Sequence, residues 1–270
     1  MKKTLLCLAA AIMVMASASA QTDLRLFNHL SVGLNVGTTG IGADIAMPAT
    51  KFLDIEAGFS IMPKITYSTN IHTNLSRYNL DLTNNPQILA LDEVPIQGKL
   101  KMVNGKVLIN FYPIPLKSNF HITAGAYFGK GDIVEVYNKE EGKLSAINDA
   151  NAAIRVANQT YPNLNQEEIG LKLGDYLLKP DANGNAKATL KTNSFKPYVG
   201  IGFGRAVPNK RIGFKFDLGA LFWGTPDVID HNDVSLMKQD WDGKDGGAFR
   251  VISKFKVYPV LNFRLCGRIF

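Results

Sequence analysis

An all-β fold, an up-and-down antiparallel barrel of eight strands with apolar side chains outward and charged ones inward, is what this sequence predicts. Three observations carry it. Apolar and polar residues alternate with a period of two through eight segments. The connections divide into short proline-bearing turns and long loops that alternate along the chain. The charged residues of the segments sit opposite their apolar faces.

Taken in order, "LSVGLNVG" sets Leu30, Val32, Leu34 and Val36 against Ser31, Gly33, Asn35 and Gly37. "IGADIAM" sets Ile41, Ala43, Ile45 and Met47 against Gly42, Asp44 and Ala46. "FLDIEAGFSI" sets Leu53, Ile55, Ala57, Phe59 and Ile61 against Asp54, Glu56, Gly58 and Ser60. The pattern returns in "GKVLINFY" (about 97–112), "FHITAGAYF" (119–129), "FKPYVGIGFG" (195–204), "IGFKFDLGALFW" (212–223) and the C-terminal segment (about 252–269). Most approach the roughly 9–11 residues that a tilted strand needs to cross a bilayer.

Three connections are short: "PATK" (48–51), "PIPLKS" (113–118) and "VPNKR" (207–211). Three are long: about 63–95, 131–192 and 224–250. Strands running up and down place every proline turn at one end and every long loop at the other, with "GTTG" (37–40) the short exception on the long-loop side. Within the longest loop, "INDANAAIRVANQTY" predicts a helix capped near Asn148 or Asp149. "DYLLKPDANGNAKATLKT" predicts a hairpin turning at "DANGN". That hairpin either extends the barrel wall or adds two strands, which makes ten the alternative count.

Hydrocarbon offers no hydrogen bonds, so a lipid-facing sheet must close on itself. Which face looks inward is decided by Asp44, Asp54, Glu56, Lys215, Asp217, Arg264 and Arg268. Several unpaired charges in an apolar core would each cost several kcal/mol, whereas in a narrow lumen they can pair. An eight-stranded barrel is just wide enough for side chains to fill, so these lumen ion-pair candidates of mixed sign predict a plug and not an open pore. Inward glycines (Gly33, Gly42, Gly58, Gly200, Gly202, Gly204, Gly213 and Gly219) would make room for them. Phe52, Tyr112, Phe120, Phe128, Phe195, Phe222, Trp223 and Tyr258 fall near strand ends, where interfacial girdles would lie.

Residues 1–20 read as a signal peptide: Lys2 and Lys3, then "TLLCLAAAIMVM", then "ASASA", with cleavage between Ala20 and Gln21. Cys7 follows Leu6 and not a small residue, which argues against a lipid-anchored cysteine. Residues 21–270 then form a single barrel domain. They keep only Cys266, so no intramolecular disulfide is possible. Without Lys2 and Lys3 the formal charge of +7 falls to about +5, and no basic run concentrates it, so no nucleic-acid partner is expected. No stretch after residue 20 holds eighteen consecutive apolar residues, which excludes helical spans.

On "LSVGLNVG", "GADIAMPATKFLDIEAGFSIMP", "VLINFYPIP", "FHITAGAYFG", "KPYVGIGFGRAVP" and "PVLNFRLCGRIF", the chain resembles the small outer-membrane β-barrel family of Gram-negative bacteria, related to the transmembrane domain of outer membrane protein A. The resemblance implies residence in the cell outer membrane among its lipid and lipopolysaccharide. It also implies an assembly signal at Phe270, where a C-terminal aromatic strand is read by the barrel-assembly machinery. Phe270 departs from the family pattern: it is out of step with Leu261, Phe263, Leu265 and Ile269, and shares the parity of Arg264 and Arg268. No wall-binding domain follows the barrel, so no peptidoglycan tether is implied. The resemblance speaks to fold and location; one barrel hosts many activities.

The chemistry-bearing candidates are few. Gly200, Gly202 and Gly204 in "VGIGFG" lack dinucleotide-loop spacing and precede a proline turn. Asp230–His231 lies in the last long loop, where a barrel hydrolase would place a general base, but no further partner accompanies it. His29, His72 and His121 read as solvated or structural. "DWDGKDGG" (Asp240, Asp242, Asp245) has calcium-loop composition but misses the spacing by one residue. Together the three long loops carry a net charge of −6, compatible with a cation or a basic partner. The expectation is a barrel that is not an enzyme and needs no cofactor, acting as a surface-binding or envelope-structural protein through its loops. The alternatives are a narrow porin-like channel for small solutes and a rim-located lipid-A hydrolase or protease using His231.

Overall fold

The computed structural model describes residues 29–75, 91–115, 117–173, 176–236 and 254–269. Ala20, Gln21, the acidic stretch at Asp240, Asp242 and Asp245, and Phe270 lie outside the described residues. The chain runs β1 (Ser31–Gly37), β2 (Gly40–Pro48), β3 (Leu53–Ile61), β4 (Thr66–His72), β5 (Glu93–Leu100), β6 (Val103–Phe111), β7 (Phe120–Gly129) and β8 (Asp132–Asn138). Helix α1 (Ser145–Thr160) follows, then β9 (Leu171–Leu173), β10 (Tyr176–Leu178), β11 (Lys187–Lys191), β12 (Phe195–Gly204), β13 (Ile212–Phe222), β14 (Asp227–Ile229) and β15 (Val257–Arg268). No helix among the described residues is long and apolar enough to cross a membrane.

Eight strands close an antiparallel barrel in the order β1-β15-β13-β12-β7-β6-β3-β2. Each pairs with its neighbours in chain order, and β15 closes on β1 from Ser31↔Arg268 to Gly37↔Asn262. The count is eight; the ten-strand alternative fails. β1 and β2 meet through Thr38 and Thr39, a turn that Gly40 completes at φ +108°, where a side chain would be strained.

The long connections are not simple loops. They supply a second sheet, β14-β11-β8-β5-β4, whose order repeats that of the barrel strands β13-β12-β7-β6-β3. Each of its strands adjoins the corresponding barrel strand after a break of two to four residues. Backbone bonds carry the ladder across the breaks, among them Lys101 N–H to Ile133 O at 2.8 Å and Thr192 N–H to Gly131 O at 2.9 Å. The wall is therefore tall over five strands and low at β1, β2 and β15.

Three expectations need correction here. The segment at 97–112 is two strands, β5 in the upper sheet and β6 in the barrel. The turn at "DANGN" forms, with Asp181 Oδ1 accepting the Asn183 and Asn185 N–H groups at 2.9 and 2.8 Å, but its arms do not pair with each other. β10 pairs with β9, and β11 with β8 and β14. Helix α1 starts at Ser145 after Leu144, without a side-chain cap, so Asn148 and Asp149 lie inside it. Its entry is tied down instead by Leu144 N–H to Gly184 O at 3.1 Å.

The two faces exchange polarity at the breaks. Along β6, Val103, Val107 and Phe111 are exposed outward while Asn104, Lys106 and Asn110 are buried inward. Along β5, Val94 and Ile96 are buried inward, and the outward side carries Glu93, Gln97 and Lys99. Likewise the exposed Lys187 and Lys191 of β11 give way to Phe195, Val199, Ile201 and Phe203 of β12. The upper sheet is thus built for water outside and a greasy core inside; the barrel is the reverse.

That upper core is real. Val94 and Ile96 of β5, Ala188 of β11, Val228 of β14, Leu144 just before α1, Ile147 of α1, and Leu171 and Leu178 of the β9–β10 hairpin form one cluster. Its irregular backbone is satisfied by asparagines. Asn151, mid-helix and buried, accepts Ile169 N–H at 2.6 Å and donates to Ile169 O at 2.7 Å. Asn74 treats Gly170 N–H and Glu168 O the same way, and Asn158 does so for Gln166. On the outer side, Glu135 bridges Lys101 and Lys187. Partial burial pushes its carboxyl up, but hydrogen bonds from the two lysines outweigh this and hold it below the usual carboxylate range.

Two outcomes are expected. Asn151→Ala strands both Ile169 backbone groups in a buried site, costing about 1–3 kcal/mol. Limited proteolysis should then nick residues 131–192 while circular dichroism of the barrel strands is unchanged. A depressed carboxyl stabilises above its unfolded pKa and loses that contribution as pH falls through the folded one. The upper domain should therefore loosen below about pH 4.5, and Glu135→Gln should abolish that part of its pH dependence in hydrogen exchange.

Candidate functional site

The lumen holds the densest chemistry of the described residues. Period two points Asp44 (β2), Glu56 (β3), Lys106 (β6), His121 (β7), Lys215 and Asp217 (β13) and Arg264 (β15) inward, and all are buried. They form one chain of alternating charge. Arg264 Nε donates to Asp44 Oδ1 at 2.5 Å; Lys106 Nζ donates to Asp44 Oδ2 at 2.9 Å and to Glu56 Oε1 at 2.6 Å. Lys215 Nζ donates to Glu56 Oε2 at 3.1 Å and to Asp217 Oδ2 at 2.8 Å. His121 Nε2 meets Asp217 Oδ1 at 2.8 Å. Three carboxylates face three permanent cations. Asn35 and Asn262 donate to Asp44 and Asp217 at 2.8 and 3.3 Å, using up spare lone pairs.

Register explains how the pairs meet. β3 and β13 stand diametrically opposite in the eight-membered order, so the Glu56–Lys215 bond spans the barrel. Three further links, Arg264–Asp44, Lys106–Asp44 and His121–Asp217, each skip one strand with a glycine in the strand between. Lys106–Glu56 joins the adjacent strands β6 and β3, and Lys215–Asp217 lies within β13. Gly58 lies between Asp44 and Lys106, and Gly202 between His121 and Asp217. Gly33, opposite Asp44, leaves the space that the Arg264 guanidinium fills. A Cβ on Gly58 would strike Asp44, and one on Gly202 would lie 2.5 Å from His121 Nε2.

Above this layer, toward the upper domain, Leu108, Tyr127, Tyr198, Leu221 and Val260 pack together, with Tyr127 and Tyr198 edge to face at 5.6 Å. Lys196, also buried, donates to Asn104 Oδ1 at 3.1 Å. Below it, the β12–β13 turn folds across the opening. Arg264 Nη1 donates to Ala206 O at 2.6 Å, Ala206 N–H donates to Tyr112 Oη at 2.9 Å, and the Arg205 guanidinium stacks on the Tyr112 ring at 4.4 Å.

Of the residues read from sequence, Asp44, Glu56, Lys215, Asp217 and Arg264 come together. Asp54 sits lower and accepts Val207 N–H at 3.3 Å. Arg268 is half-buried beside Ser31 at the rim, outside the network. Sequence reading passed over Lys106, whose inward parity with Asn104 and Asn110 was available, and gave His121 no partner. Tyr112 is not a girdle residue: it is wholly buried and packs against His121 at 5.5 Å. Phe52, Phe120, Phe128, Phe195 and Phe222 do lie exposed on the outer wall.

The other candidates gain little. Asp230 Oδ1 accepts the Asn232 and Val234 N–H groups at 2.8 and 2.9 Å, closing a turn, while exposed His231 contacts Asn232. No group of three or more metal-ligating side chains occurs among the described residues.

Glu56 neutralises two buried lysines. Glu56→Gln should therefore destabilise the folded barrel by about 3–5 kcal/mol, read as a shift in the urea midpoint of strand circular dichroism. Gly202→Leu should do so too, by displacing His121 from Asp217.

No protein-family model and no curated protein matches the chain. Among solved structures it is similar to CarO2 of Acinetobacter baumannii (16% identity, TM-score 0.47, covering 89% of this chain and 98% of that one). It is also similar to CarO of Acinetobacter baumannii (15%, TM-score 0.45, 91% and 99%). A third likeness is to a major outer membrane protein of Thermus thermophilus (11%, TM-score 0.32, 89% and 98%). Likenesses this distant speak to neither ligand nor activity; the chain's own side chains must do so.

Proposed function

We propose that this chain is an integral outer-membrane barrel with a closed lumen, acting without catalysis as a surface-binding or envelope-structural protein through its upper domain. One observation carries the reading: the inversion of polarity between barrel and upper sheet. Val32, Leu34, Val36, Ile41, Ile45, Phe59, Val107, Ile122, Val199, Ile201, Phe214, Leu218, Leu261 and Phe263 are all exposed on the outer wall. Soluble monomers rarely expose contiguous apolar patches beyond a few hundred Å², and this one girdles all eight strands. In lipid that belt costs nothing, and closure leaves no strand edge unpaired.

The cross-lumen Glu56–Lys215 bond and the aromatic layer above it support a barrel that does not conduct. The apolar stretch ending at Ala20 supports export with cleavage before Gln21, and the aromatic β15 supports insertion by a barrel-assembly machinery. Asp230, committed to its own turn, gives His231 no base partner, which favours binding over hydrolysis. The upper domain, packed on its own apolar cluster, is the surface a partner would meet.

The refolded chain should enter lipid vesicles and precipitate without detergent or lipid. In planar bilayers it should pass no steady single-channel current at neutral pH. A folded, detergent-free soluble protein overturns the membrane reading; a steady current overturns the closed lumen alone.

A further inference from the structure

At the break between barrel and upper sheet, the outer wall is notched. Ile61, Val103, Phe128, Lys64, Lys99 and Lys130 help to line a cleft of about 560 Å³. Its lower lip is apolar, with Ile61, Val103 and Phe128 each about half exposed (48%, 48% and 46%). Its upper lip is basic. Lys64 follows β3, Lys99 and Lys101 bracket the end of β5, and Lys130 follows β7, so three neighbouring strand lines send cations to one place. Lys101 is committed to Glu135, which Lys187 also neutralises. Lys64, Lys99 and Lys130 have no ion pair among the described residues. The local balance is strongly positive, in a chain whose long connections carry a net charge of −6.

The height of the cleft decides what it meets. In the membrane reading, on which this inference rests, the apolar wall ends at Val103 and Phe128, so the lysines stand at the headgroup level. A lysine there extends its amine toward the polar layer while its stem covers apolar surface. One such residue is ordinary. Three unpaired ones converging over an apolar lip offer a phosphate several donors at once, with room below for the start of an acyl chain. Each basic residue near an anionic surface contributes about 1 kcal/mol, roughly a factor of five in affinity.

We propose that this cleft is a binding site for a phosphate-bearing lipid headgroup of the leaflet on the upper-domain side, of the kind lipopolysaccharide presents. The lysine amines grip the phosphate, and the aliphatic lip seats the proximal acyl chain.

Native mass spectrometry of the detergent-solubilised chain, titrated with lipid A, tests this. The comparisons are lipid A stripped of its phosphates, and inorganic phosphate alone. Intact lipid A should bind at least about tenfold tighter than the dephosphorylated form, and inorganic phosphate should compete only weakly. The triple variant Lys64→Gln, Lys99→Gln, Lys130→Gln spares the Lys101–Glu135 pair and should weaken lipid A binding about a hundredfold. The single variant Lys99→Gln should give a partial loss, so the reading does not hang on the triple variant's folding.

Neutralising Lys254 and Lys256, near the start of β15, should change little. Equal loss in that control, equal binding of both lipid A forms, or full competition by phosphate would overturn the site. Vesicle insertion reports on the membrane reading separately, and can succeed while this site fails.

Discussion

Opposite charges pair inside the apolar wall of this barrel, and the lumen is organised around that pairing, with Lys196 and Asp54 held there by hydrogen bonds. Asp44, Glu56 and Asp217 are cancelled by Arg264, Lys106 and Lys215; Lys106–Glu56 joins neighbouring strands and Lys215–Asp217 lies within β13, while Arg264–Asp44, Lys106–Asp44 and Lys215–Glu56 reach past intervening strands. The network is a set of struts. It fixes the diameter of the barrel, and with it the register in which eight strands can close. Glycine in the intervening strands is the counterpart of this demand: at Gly58 and Gly202 the absent side chain is the space the pair uses.

The upper domain solves the opposite problem with the same strands. Once the wall rises past Val103 and Phe195, its outer surface changes from aliphatic to charged, and the inner side fills with Val94, Ile96, Ala188 and α1. Two environments are therefore written along single strands, separated by breaks of two to four residues. The breaks do more than reset side-chain parity. They open the notch where Lys64, Lys99 and Lys130 gather, so the level at which the outer face changes polarity also carries a basic cleft.

How much of this could be read from residues alone follows from which forces act locally. Period-two alternation is local, so the eight barrel segments and the inward sense of Asp44, Glu56, Lys215, Asp217 and Arg264 were legible. Pairing across the lumen was not: Glu56 and Lys215 lie 159 residues apart, and nothing in either neighbourhood names the other. Lys106 lay in a segment drawn too long, because β5 and β6 follow each other almost without punctuation. Of the upper sheet only the wall-extending hairpin at "DANGN" was read; β4, β5 and β8 went into long loops or a barrel segment, and the bonds of Asn74, Asn151 and Asn158 to the 166–170 backbone join separate parts of the chain. Asparagine-rich stretches read as hydrated turns when tertiary partners are unknown. Tyr112 was misplaced although its parity with Asn104, Lys106 and Asn110 points it inward: its aromatic type and its place at a strand end were read in preference to the alternation.

The struts also constrain the order of events when the protein is made. Arg264 meets Asp44 across 220 residues of chain, and β15 is the last strand to arrive. Until it docks, Asp44 lacks one of its two cations, and no arrangement of the earlier strands supplies that one. A half-built wall must therefore keep its carboxylates and ammonium groups wet. Drying of the interior and arrival of the final segment become a single cooperative event, after which slippage of any strand would have to pull an ion out of its cage. Such a protein should be slow to take apart once finished, for a reason that lies in its centre and not in what surrounds its outer wall.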